Sequence, residues 1–191
     1  MDLDKILRPR NRDELRQWLM DYSRNENECW VVTNRNPEEL NLTYLDIVEE
    51  AICFGWIDST KKKLSESEVA QRISPRRKKS KWTELNKERA RRLIRLDLMT
   101  EWGEKVLPDL SLESFTIHPV IMEKIQSNPT IKENFEAFPE LYQRIRIDTI
   151  QSYINDEVMF NKRLNKFLEN TEKNKMYGAW DDKGLLSEDR F

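Results

Sequence analysis

Arg72, Arg76, Arg77, Lys78, Lys79 and Lys81 crowd into the stretch RISPRRKKSKW, which ends on Trp82. Guanidinium and ammonium groups at this density favour oxyanions: arginine offers a planar fork that matches phosphate or carboxylate, and lysine a compact point charge. The stretch leads into a helix predicted to start at Thr83, with Asn86 at its third position. A helix start adds unpaired N–H groups and a partial positive charge to the same place. Asp58, in GWIDS, supplies a carboxylate next to a predicted helix end and a basic strand, where burial and pairing can shift its pKa. Trp56, Asp58, Arg72, Arg76, Arg77, Lys81 and Trp82 are therefore the candidate binding set for an anionic small molecule or an acidic partner surface.

Three other readings compete. The cations can be solvated or paired with Glu49, Glu50 and Asp58, at ~0–1 kcal/mol for each surface pair. They can contact nucleic-acid phosphates while Trp82 stacks on a base, although no zinc-finger spacing, RNA-binding aromatic strand or homeodomain pattern accompanies them. They can also hold a small phosphorylated or carboxylated substrate for an enzyme. The catalytic inventory is thin, however. The single histidine, His118, precedes Pro119 and suits a capping or surface position, and no nucleophile elbow, phosphate loop, zinc-protease motif or dinucleotide fingerprint is present. Cys29 and Cys53 lie in apolar patterns without a partner at metal-ligand spacing and read as buried thiols. No catalytic residue, metal or cofactor is assigned.

These residues need elements to position them. Leu15, Trp18, Leu19 and Tyr22 recur at helical spacing, so residues 12–24 form an amphipathic helix capped by Asn11. CWVVT is a strand, NRNPEEL a turn, and residues 43–54 a second helix capped by Thr43 and closed at Gly55. WIDSTKKK and VAQRISP are strands joined by LSESE as an antiparallel pair, the second ended by Pro75. On the helix after Thr83, Lys87, Arg91 and Arg95 make an outer basic stripe. Thr100 caps a short helix. Pro119, Pro129 and Pro139 then mark the first turns of further helices reaching about residue 170. The expected architecture is α+β, a small antiparallel sheet packed with helices over residues 1–107. A linker at 108–116, a helical subdomain at 117–170 and a tail at 171–191, either docked through Tyr177 and Trp180 or loose, follow.

The formal net charge of −2 hides segregation: residues 1–59 carry 7 Lys/Arg against 13 Asp/Glu, residues 60–96 carry 14 against 4, and residues 97–191 carry 12 against 18. Six Trp and seven Phe support a packed core. The N-terminus lacks a signal-peptide core and no run approaches the ~20 apolar residues of a membrane span, which gives a cytoplasmic expectation.

Residues 42–103 carry E-E-A-x-C-F-G-W-I-D at 49–58, Q-R-x-S-P-R-R at 71–77, S-K-W-T at 80–83, N-K-E-R at 86–89, R-L-I at 92–94 and M-T at 99–100. In these ordered motifs the stretch resembles the signature region of the bacterial YdeI/OmpD-associated, or bacteriocin-protection, family. Residues 12–33 fit the family's opening more weakly, and S-N-P followed by F-E-A-F-P at 127–139 resembles the start of its C-terminal helices. YINDEVMFNKRL at 153–164 departs from the family pattern. The resemblance implies an accessory role in bacterial stress protection, namely tolerance of bacteriocins or antimicrobial peptides, without an implied reaction or cofactor. It also implies that the signature block is where the family's shared ligand binds, and leaves the acidic 1–59 and 97–191 surfaces to meet a cationic peptide.

Overall fold

The computed structural model describes residues 6–34, 42–78 and 80–186. Two compact units divide the chain: Met1–Lys81 with Arg89–Pro108, and Trp82–Glu88 with Asp109–Phe191.

In the first unit, β1 (Ile6–Leu7) leads into α1 (Arg12–Tyr22), whose first turn is held by the Asn11 side chain accepting from Glu14 N. β2 (Cys29–Asn34) follows, and the NRNPEEL turn expected after it falls mostly outside the described residues. α2 (Tyr44–Cys53) begins with a reciprocal capping box between Thr43 and Asp46 and ends at Gly55, where φ is +73°. A Cβ at Gly55 would approach the Trp102 carbonyl oxygen to 2.8 Å, so both conformation and space demand glycine. β3 (Trp56–Lys63) and β4 (Glu68–Pro75) are the expected antiparallel pair, in register with Trp56 opposite Pro75 and Asp58 opposite Ile73.

The sheet order is β1-β2-β4-β3. The fold is α+β as expected, but the sheet has a fourth strand, and β1 runs parallel to β2, so the sheet is mixed rather than purely antiparallel. A two-residue strand is too short to show alternation in sequence, and its backbone pairing carries no residue signal. Leu15, Leu19, Val31, Ile47, Ile52, Cys53 and Ile73 are buried between sheet and helices, while Trp30, Val32 and Ala70 form a smaller cluster with Ile6 and Leu64.

α3 (Glu84–Arg95) is shared: its residues through Glu88 group with the second unit and those from Arg89 with the first. α4 (Glu101–Glu104), capped by Thr100, closes the first unit. The second unit continues with α5 (Pro119–Gln126), α6 (Pro129–Ala137), α7 (Glu140–Gln151) and α8 (Glu157–Glu172). Pro119 and Pro129 occupy first turns as expected, whereas Pro139 sits one residue earlier, as the cap of α7. His118 caps α5 through its ring nitrogen, which accepts from Val120 N at 3.3 Å. Ile121, Ile125, Phe135, Tyr142, Ile147, Phe160, Leu164 and Phe167 fill one core, against which Tyr177 and Trp180 pack. The last residues of the tail, 187–191, lie outside the description.

Candidate anion-binding site

The β3–β4 pairing brings three of the seven predicted residues, Trp56, Asp58 and Arg72, onto neighbouring strands, Arg76, Arg77, Lys81 and Trp82 follow the end of β4, and the residues then separate by role. Trp56 is 2% exposed; its indole N–H donates to the Ser23 carbonyl at 3.3 Å and its ring meets Trp18 edge-on. It is core. Arg72 donates through Nε to Glu28 at 2.7 Å and through Nη1 to Ser59 Oγ at 3.3 Å, so its fork is occupied within the sheet. Asp58 accepts from the Tyr44 hydroxyl at 2.7 Å, which ties the start of α2 to β3.

Arg76 is the hinge of the site. Its backbone N–H donates to the Gly55 carbonyl at 2.9 Å, and its guanidinium, in a residue only 8% exposed, donates to the Lys81 carbonyl at 3.4 Å. Burial pushes the Arg76 pKa down to about 10, with the charge of Asp58 opposing that drop. Between these anchors, Ser80 N donates to the Arg77 carbonyl and Arg77 N to Ser80 Oγ, at 2.9 and 3.1 Å. Arg76, Arg77, Ser80 and Lys81 are thus held together as a turn clasped by a buried arginine. Arg77, Lys78 and Lys81 project from it exposed, and among the described residues their side chains have no carboxylate partner. Lys79 lies outside the described residues, and Trp82 is half-buried within the second unit.

Two sequence expectations change. The start of α3 does not await an external anion: the carboxylate of Asp148 accepts from Glu84 N at 3.0 Å, and Thr83 Oγ1 accepts from Asn86 N at 3.2 Å. Burial raises the Asp148 pKa, the Glu84 N–H bond opposes that rise, and the Glu84 charge adds to it. The outer stripe of α3 is also interrupted, because Lys87 pairs with Glu84 at 2.9 Å.

Glu49 and Glu50, offered as surface partners for the basic stretch, are instead 2% and 0% exposed and belong to another network. Arg12 donates to both at 2.6 Å, Arg16 to Glu50 at 2.9 Å and Arg92 to Glu49 at 2.7 Å. Burial opposes the Arg12 charge, yet its bonds to Glu50 and Glu49 hold its pKa above the ordinary value. The readable signal was an adjacent glutamate pair inside an apolar helix, facing Arg12 and Arg16 at i, i+4 on α1. Burial lifts the Cys29 thiol far above its usual range and Cys53 to about 12, so neither is a ready nucleophile. Among the described residues no cluster of His, Cys, Asp and Glu can hold a metal, and no helix is long and apolar enough to cross a membrane.

Residues 7–106, which contain the clasped turn and the whole sheet, match the model of a domain of unknown function (DUF8412). The chain belongs to that family. Residues 114–174 match the model described as Bacteriocin-protection, YdeI or OmpD-Associated, so the resemblance read from sequence holds for the chain. The position differs in part: the signature region at 42–103 lies outside the bacteriocin-protection match, whereas 127–139, the expected start of the family's C-terminal helices, lies within it, as does 153–164, the stretch that departs from the pattern. No curated protein and no solved structure matches the chain.

Proposed function

We propose that the protein acts in bacteriocin protection as a binding accessory, engaging an acidic partner surface through Arg77, Lys78 and Lys81 on the clasped turn. One observation carries this reading: the turn is anchored by a buried arginine while three neighbouring cations stay exposed without carboxylate partners among the described residues. Cations held on an anchored turn lose less freedom on binding than those of a mobile tail. Exposed rim charges of this kind steer encounter and select acidic partners. Trp56, Asp58, Arg72 and Arg76 then serve as the frame that presents the contact, and Trp82 is left outside it.

Fluorescently labelled poly-glutamate is the probe. The wild type should bind it at low salt, and the combined variant Arg77→Ala, Lys78→Ala, Lys81→Ala should bind about tenfold more weakly, as expected of three exposed charges. A labelled single-stranded DNA bound far more tightly than poly-glutamate would replace the acidic-surface reading with a nucleic-acid one. Absence of binding to either polymer would end both.

A further inference from the structure

The second unit contains a cavity of about 420 Å³, within the range of small-molecule sites, and it lies well away in sequence from the clasped turn. α7 lends Arg146, Thr149 and Ile150, at i, i+3 and i+4, and α8 lends Met159, Lys162, Arg163 and Lys166, at i, i+3, i+4 and i+7. Each set occupies one helical face by periodicity alone. Tyr177 and Gly178, from the segment after α8, complete the wall.

Charge makes this cavity unusual within its unit. Residues 97–191 hold 18 acidic against 12 basic side chains, yet four of the twelve cations line one cavity, and no carboxylate joins them in its lining. Among the described residues none of the four is within ion-pair distance of an acidic group; their neighbours are rings, backbone and the Tyr153 hydroxyl, which accepts from Arg163 Nη2 at 3.4 Å. Arg163 lies over the Tyr153 ring at 4.3 Å, while Arg146 and Lys166 lie over Tyr177 at 5.4 and 5.1 Å. Arg146 Nη2 donates to the Ala179 carbonyl at 2.8 Å. The Nε–H groups of Arg146 and Arg163 are buried without an acceptor. Four cations around one cavity with no carboxylate in its lining mark a place suited to oxygen acceptors.

Gly178 supports the same assignment. Its φ is +75°, and a Cβ there would meet Arg146 Nη1 at 2.7 Å, so the backbone rests directly against the guanidinium. Ile150, Met159 and the Tyr177 ring provide apolar and aromatic wall beside the cations.

We propose that this cavity binds a small organic phosphate: the dianionic group meets Arg146, Lys162, Arg163 and Lys166, and the apolar body of the molecule lies against Ile150, Met159 and Tyr177. A dianion matches four uncompensated cations better than a carboxylate with one charge, and the two arginines offer forks suited to its oxygens. The site is independent of the clasped turn.

The full-length protein titrated calorimetrically with 1-naphthyl phosphate tests it, with inorganic phosphate, 1-naphthoate and 1-naphthol as comparisons. Binding of 1-naphthyl phosphate should be about tenfold tighter than each comparison. Lys162→Gln with Lys166→Gln, both exposed and so tolerant of change, should weaken it about tenfold, and Gly178→Ala should weaken it by displacing Arg146. The Arg77, Lys78, Lys81 alanine variant should bind it as the wild type does, which separates this site from the turn. Absence of binding to the wild type, equal binding of 1-naphthoate, or unchanged affinity in the Lys162/Lys166 variant would each overturn the proposal.

Discussion

Replacing Arg76 by Met should leave the protein as stable or more stable while weakening poly-glutamate binding. Arg76 is 8% exposed, and its pKa is driven by burial down to about 10 from an ordinary value of 12.5. That drop corresponds to roughly 3 kcal/mol by which the fold disfavours the charged guanidinium. The sign follows from linkage. A base whose folded pKa is depressed burdens the native state at every pH below that value, and the burden lifts as pH rises through about 10. Methionine keeps most of the apolar stem and removes the charge. Against the ~3 kcal/mol recovered stands the charge-assisted 3.4 Å bond to the Lys81 carbonyl, about 1.5–3 kcal/mol, together with the attraction of Asp58 already included in the shift. The net expectation at neutral pH is a gain of roughly 0–1.5 kcal/mol, or a rise in Tm of up to about 6 °C for a chain of this size. The released turn should meanwhile be cut faster by trypsin after Arg77 and Lys78, and poly-glutamate affinity should fall. Calorimetry, limited proteolysis and the binding titration on one preparation read all three. A loss of more than about 2 kcal/mol would refute the reasoning, because the charge would then be a net stabiliser.

Other consequences are equally open to measurement. Arg12→Met strips bonds from both Glu49 and Glu50 and leaves Glu50, 0% exposed, with Arg16 alone; urea unfolding should register a loss of about 3–5 kcal/mol. Both thiols should resist a disulfide reagent in the native protein and react once it is unfolded. Because an unfolded thiol ionises near pH ~8.5 while Cys53 is held up to about 12, stability should fall across that interval, and less so in Cys53→Ala. Asp148 has a raised carboxyl pKa, so the native state favours its protonated form and loses that advantage as pH climbs through the folded value. Asp148→Asn stays neutral and can still accept from Glu84 N–H. It should gain on the wild type in urea midpoint at about pH 7 more than at about pH 4, and an equal difference at both would contradict the assignment.

Local chemistry was the legible part of the sequence. Asn11, Thr43, Thr83 and Thr100 announce helix starts through side-chain acceptors placed before apolar periodicity, and each caps the helix expected of it. Gly55 likewise closes α2 with a positive φ. Partnerships between distant residues were not legible. Arg72 meets Glu28 because β4 lies beside β2, a register no spacing encodes, and the start of α3 is filled by a carboxylate 64 residues away. The cation stretch therefore looked uniform in sequence, although its members divide into buried clasp, occupied fork and exposed contact. The cavity of the second unit was half visible: the face of α8 follows from the spacing of Met159, Lys162, Arg163 and Lys166, but its meeting with Arg146 on α7 depends on packing.

The salt dependence of poly-glutamate binding tests the central claim most directly, with wild type and the Arg77, Lys78, Lys81 alanine variant measured side by side. Exposed charges are screened over a Debye length of ~8–10 Å near physiological salt, so wild-type affinity should fall steeply as salt rises and the variant should be weak and nearly flat. Parallel salt dependences of equal strength in the two proteins would contradict the clasped turn as the contact.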